Sequence, residues 1–186
     1  EYCEVASMAM ELLGAPHLNV FYGDGDEVTR ARIDHLEGII SLFPWVAMID
    51  SFQHWLYTHP GHSRDERRQT WLGIMDRFGT GQIDWTGLEE IRAHRWMRQS
   101  HLFGVPFYYV EYAIAQLGAL QVWRNHRNDA DEAIRLYRNG LSKGNTVTLP
   151  QLYEETGSRF DFSFENLSDL IGMVREEIEN LEGAGV

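Results

Sequence analysis

The residues best suited to chemistry lie in the stretch His101-Leu102-Phe103-Gly104-Val105-Pro106-Phe107-Tyr108-Tyr109-Val110-Glu111-Tyr112-Ala113-Ile114-Ala115-Gln116. Tyr109 and Tyr112 stand three positions apart and Tyr108 and Tyr112 four, so on a helix two or three phenols project from one side, near an imidazole. Phenol and imidazole donors suit an oxyanion or the carbonyls of a peptide. The plainer reading of the same pattern is an aromatic core stripe whose hydroxyls reach solvent.

A second set consists of carboxylates. Glu1, Glu4 and Glu11 fall one and two helical turns apart and line one stripe of a helix. Val5, Met8, Ala9 and Leu12 flank that stripe, so some of these acids face inward, where a carboxylate needs a cation or donors. The competing reading is a solvated acidic face.

Other patterns imitate metal sites. Asp76 to Asp84 resembles the start of an EF-hand loop, but Phe78 occupies the third place and Gly87 the twelfth. The loop lacks the oxygens that calcium requires and reads as a turn. No H-E-x-x-H occurs. His54 and His59 fall on different helical faces, His59 and His62 straddle a Pro-Gly turn, and His94 and His101 share a face at seven residues' separation. None of these pairs reaches the three or four convergent ligands of a zinc site.

The elements that must position these residues read as helices throughout. Gly14-Ala15-Pro16 closes a first helix. A long helical region follows from about Glu27 to Tyr57, where Pro44 is expected to kink or break it. Ser63 and Glu66 form a capping box for a helix over Arg64–Phe78. Further helices are expected over about Thr86–Ser100, Val105–Trp123, from Asn128 or Asp129 to Gly144, after Pro150, and from about Ser163 to the end. No run sustains a period of two. The expectation is an all-α helical bundle, 1–186 forming one domain.

Composition narrows the function classes. The 186 residues carry 16 Lys+Arg against 28 Asp+Glu, a net charge of −12, and the pI near 5.0 argues against a binder of nucleic-acid phosphates. No apolar run approaches the roughly 20 residues that span a bilayer. The lone Cys3 fits a reducing, cytoplasmic setting. The sequence opens without an initiator Met or a signal-peptide pattern, in the middle of an amphipathic period, and reads as a fragment of something longer.

Glu4-Val5-Ala6-Ser7-Met8 with Glu11, followed by His101, Pro106-Phe107-Tyr108-Tyr109 and Tyr112-Ala113-Ile114-Ala115-Gln116, resembles the C-terminal portion of an oligoendopeptidase F. That is the bacterial branch of the thimet-oligopeptidase-like zinc peptidases. Phe52-Gln53-His54-Trp55, Thr58-His59-Pro60-Gly61-His62, Leu149-Pro150-Gln151-Leu152-Tyr153 and Phe160-Asp161-Phe162-Ser163 fit the same branch, so the likeness covers essentially the whole chain.

The resemblance implies a gluzincin-type catalytic domain in which an H-E-x-x-H helix gives two His ligands and the general base. It makes Glu4 the third ligand of one Zn²⁺ and Glu11 a carboxylate orienting a zinc-bound His. It makes His101, Tyr109 and Tyr112 the groups that bind substrate and stabilise the oxyanion, spacing favouring these two tyrosines over Tyr108. The H-E-x-x-H helix would then precede Glu1 in a parent zinc endopeptidase acting on short peptides, and this chain alone would be inert. The alternative is a non-catalytic helical interaction module. In either case, apolar surface bared by missing helices would favour self-association.

Overall fold

The computed structural model describes residues 2–23 and 25–184. Glu1, grouped above with Glu4 and Glu11, lies outside the described residues. Among the described residues all regular elements are helical: α1 (Tyr2–Gly14), a 3-10 turn (Ala15–His17), α2 (Asn19–Tyr22), α3 (Asp26–Thr58), α4 (Arg64–Phe78), α5 (Glu89–His94), a second 3-10 turn (Arg95–Arg98), α6 (His101–Gly104), α7 (Val110–Asn128), α8 (Ala130–Lys143), α9 (Leu149–Glu155) and α10 (Phe164–Ala184). The fold class is all-α, as the periodicity indicates. Packing gathers the chain into two compact units, Glu1–Ile40 with Ile114–Val186, and Ser41–Ala113.

The caps follow the sequence signals. The Ser63 hydroxyl accepts from the Glu66 N–H while the Ser63 N–H donates to the Glu66 carboxylate, and α4 runs over the expected residues. Those hydrogen bonds hold the exposed Glu66 carboxyl below its usual range. Asp129 accepts from the Glu132 N–H to start α8, and Thr148 forms a capping box with Gln151 ahead of α9.

Three expectations need correction. Pro44 does not break α3, which is continuous from Asp26 to Thr58. An interior proline costs about 3 kcal/mol, whereas burying a large apolar side chain returns roughly 1.5–3 kcal/mol. Val46, Met48, Ile49 and Phe52, just beyond Pro44, are all buried. The balance favours continuing the helix. The helix expected from Val105 begins instead at Val110, because Phe107 adopts a φ of 60° that ends any helical run there. The helix expected over Thr86–Ser100 likewise contracts to α5 and the 3-10 turn after it.

In the first unit α1 buries Val5, Ala9 and Leu12. Val5 packs with Ala115 and Tyr153, surrounded by Tyr2, Met8 and Phe160. Three of the polar side chains packed there are answered by backbone. The Tyr137 hydroxyl donates to the Ala6 carbonyl at 2.8 Å, and the Tyr153 hydroxyl to the Ile114 carbonyl at 2.8 Å. Gln121, 1 % exposed, donates to the Arg159 carbonyl and accepts from the Arg159 N–H, both at 2.9 Å. Glu177 on α10 holds Arg32 of α3 at 2.7 Å and Arg127 of α7 at 3.6 Å. In the second unit Met48, Ile49, Phe52, Trp71, Met75 and Trp96 form the core, with the Phe52 ring 5.2 Å from Trp71 and 5.3 Å from Trp96.

Gly140 sits where α8 meets the Tyr2 hydroxyl and the Thr156 methyl, and a Cβ there would collide with both. Gly140→Ala should destabilise the chain by about 1–3 kcal/mol in urea unfolding. Gly73→Ala, on an exposed turn of α4 with open space around it, should stabilise by about 1 kcal/mol.

Burial also pushes the Tyr2 phenol from 10.0 up to about 12, the Thr156 hydroxyl partly offsetting it and Tyr137 adding to it. The folded state therefore favours the protonated phenol. Its contribution is fully present below pH 10 and is lost as pH rises through about 12. Unfolding midpoints across that window should fall less steeply in Tyr2→Phe than in the parent chain.

Candidate functional site

The His101 cluster is built from short, tightly turned pieces of the second unit. The Gln99 N–H donates to the Trp96 carbonyl at 3.0 Å, the Leu102 N–H to the Gln99 carbonyl at 3.1 Å, and α6 then presents His101. Past Pro106 the chain reverses at Phe107, whose ring lies 5.0 Å from those of His54 and Tyr57. The Tyr108 N–H donates to the Val105 carbonyl at 3.2 Å and the Glu111 N–H to the Tyr108 carbonyl at 2.9 Å, leading into α7. This reversal gathers three phenol rings around one imidazole. His101 stacks near Tyr108 at 6.1 Å, tilts against Tyr109 at 5.1 Å and meets Tyr112 edge-on at 5.5 Å.

Polar contacts order the cluster. The Trp45 indole N–H donates to Gln99 Oε1 at 3.1 Å. Gln99 Nε2 lies 2.6 Å from His101 Nδ1, and His101 Nε2 lies 3.1 Å from the Tyr112 hydroxyl. Burial raises the Tyr109 phenol above its ordinary value; the Trp45 indole partly offsets this, and the neighbouring Tyr112 adds to it. Tyr109 therefore remains a neutral donor through the neutral pH range. Trp45 also walls a cavity of about 510 Å³ with Trp85, Met75, Asp76, Arg92 and Arg95.

Of the residues singled out in the sequence, the structure brings His101, Tyr109 and Tyr112 together, with Tyr108 at the edge. Glu4 and Glu11 lie in the other unit, two turns apart on α1. Glu4 is half-buried, and its carbonyl accepts from the Ser7 hydroxyl at 3.0 Å. Glu11 is 63 % exposed and lies 3.3 Å from His35 Nε2 on α3. Three other histidines serve local structure. His59 Nδ1 donates to the Trp55 carbonyl at 3.0 Å, His62 Nδ1 to the His59 carbonyl at 2.6 Å, and His94 Nδ1 to the Glu90 carbonyl at 2.8 Å. Among the described residues no group of three or more His, Cys, Asp or Glu is placed to hold a metal ion. No helix there is long and apolar enough to cross a membrane.

Sequence reasoning missed Trp45, Gln99, Phe107 and His35. Gln99 precedes His101 by two residues, a proximity that offers a hint. Nothing in the sequence couples it to Trp45, 54 positions away.

Comparison with known proteins places this fold and cluster in a family. The chain matches the model of peptidase family M3 over residues 1–169 and belongs to that family, whose members are metallopeptidases. A solved structure assigned as an oligoendopeptidase F superposes with a TM-score of 0.84 at 27 % identity, covering 95 % of this chain and 31 % of that one. A Pz peptidase A determined with an inhibitor gives 0.84 at 26 %, covering 96 % and 31 %. An oligoendopeptidase F assigned in Bacillus anthracis str. Ames gives 0.77 at 23 %, covering 99 % and 29 %, and shows the shared fold. The chain thus spans about a third of the length of the structures it matches. No curated protein matches it.

The positive φ at Phe107 makes a testable claim about how the cluster is held. Phe107→Gly and Phe107→Ala both lose the ring, but only glycine adopts this backbone without strain. The Gly variant should be the more stable of the two by about 1 kcal/mol in urea unfolding. Equal stabilities would show that the turn carries no strain.

Proposed function

We propose that this chain is the C-terminal portion of the catalytic domain of a zinc-dependent oligoendopeptidase that hydrolyses short peptides. The observation that carries the reading is the ring of Tyr108, Tyr109 and Tyr112 around His101 in a chain of peptidase family M3. Tyr109 and Tyr112 donate to the carbonyl oxygen of the bond under attack as negative charge builds there, and His101 orients them. The raised Tyr109 phenol keeps its proton and offers it as a hydrogen bond rather than as an acid.

Glu4 is the one zinc ligand this chain supplies. Its carboxylate is a donor of the right chemistry on a half-buried face of α1. A single carboxylate does not make a zinc site, which needs three or four convergent ligands. When bound in the whole enzyme, zinc supplies a polarised water. Glu11 orients a zinc-bound His in this reading; here its carboxylate lies 3.3 Å from His35 Nε2. The unbridged, exposed Cys3 supports a cytoplasmic setting.

In the full-length enzyme, Tyr112→Phe should lower kcat by about 100-fold or more with little change in KM, as expected for a donor used chiefly in the transition state. Glu4→Gln should lower zinc content measured by atomic emission. Unchanged zinc occupancy would remove Glu4 from the ligand set.

A further inference from the structure

We infer that Gln99, pinned by Trp45, is a positioning residue that holds His101 in the neutral tautomer protonated at Nε2 and thereby sets the direction of the Tyr112 hydroxyl. The argument begins at a group with a single role. An indole N–H donates and never accepts, so the Gln99 atom 3.1 Å from Trp45 Nε1 is the amide oxygen. The amide is planar, and its other arm, the NH₂ group, then faces His101 Nδ1 at 2.6 Å. An NH₂ group donates, so Nδ1 presents its lone pair. The single proton of the neutral imidazole resides on Nε2 and is donated to the Tyr112 oxygen at 3.1 Å. With that oxygen accepting from His101, the phenolic O–H of Tyr112 is directed away from the imidazole.

The reverse arrangement would have the opposite consequence. A flipped amide would set its NH₂ against the indole N–H and its oxygen against Nδ1. Nδ1 would then carry the proton, Nε2 would accept from Tyr112, and the phenolic proton would be spent on His101. The lone donor on Trp45 thus decides whether the Tyr112 hydroxyl accepts from His101 or donates to it. The three phenol rings against His101 fix the plane of the imidazole, and its contacts to Gln99 and Tyr112 place Nδ1 and Nε2, leaving open which nitrogen holds the proton. The catalytic meaning of this relay rests on the proposed function; the tautomer does not.

The test is NMR of the chain carrying ¹⁵N-labelled histidine rings, with long-range proton–nitrogen correlations and His101 assigned from the signal lost in His101→Ala. The parent chain should show Nε2 protonated and Nδ1 unprotonated. In Gln99→Glu both carboxylate oxygens accept, so the proton should move to Nδ1; in Trp45→Phe the amide loses its clamp and the two tautomers should mix. An Nδ1-protonated His101 in the parent chain, or an unchanged tautomer in a folded Gln99→Glu variant, would overturn the inference. If that variant fails to fold, the parent spectrum decides alone. Failure of the functional reading shows separately, as normal turnover by His101→Ala in the full-length enzyme while the tautomer stands.

Discussion

A hydrogen-bond donor that cannot accept is a fixed point, and the half-buried Trp45 indole is such a point in the second unit. Its orientation is inherited from the core. Trp71 is fully buried, with its own indole N–H donating to the Arg92 carbonyl at 2.9 Å, and the Trp45 ring packs edge-on against it at 6.0 Å. The Arg95 guanidinium lies 5.4 Å over the Trp45 ring and 5.5 Å over Trp85. Both rings are held by ring contacts and both N–H groups donate, so order in the core passes to the amide of Gln99 and on to His101. Continuity of α3 through Pro44 is part of the same arrangement. A break there would release the residue that follows, Trp45.

The first unit solves a different problem by a different device. Its helices bury polar side chains, and three of them are answered by main chain: Tyr137 by Ala6, Tyr153 by Ile114, Gln121 by both backbone groups of Arg159. An unanswered buried donor costs about 1–3 kcal/mol, so these pairings select one register of α1 against α8 and one path for the segment after α9. Glu4 rides on α1, and its placement is therefore set by tyrosines far away in sequence. The Glu177 bridge to Arg32 and Arg127 adds a charged tie, partly buried on each side and less screened than a surface pair.

How far the sequence could be read depended on the range of the forces involved. The helix starts at Ser63 and at Asn128 or Asp129 were legible because a cap is satisfied within three residues. The grouping of Tyr109 and Tyr112 with His101 was legible as helical spacing, although Tyr109 precedes α7 rather than lying on it. The positive φ of Phe107 was not legible, since glycine or asparagine is the usual marker of such a turn. Pro44 misled because the local cost is visible in the sequence while the burial that outweighs it is not. Gln99 and Trp45 were missed because a side-chain relay between distant positions leaves no local period. The carboxylates at Glu4 and Glu11 were legible as a stripe, yet the stripe by itself did not reveal that Glu11 is the exposed member and that His35 stands beside it.

The functional account reduces to one assertion: the phenol of Tyr112 bonds to charge that exists only at the transition state of peptide hydrolysis. The most direct test compares the affinities of the full-length enzyme and its Tyr112→Phe variant for two ligands, a phosphinic peptide that mimics the hydrated carbonyl and the corresponding product peptide. The account predicts a loss of about 100-fold for the phosphinic peptide with product affinity nearly unchanged. Equal losses for both, or none for the phosphinic peptide, would contradict it.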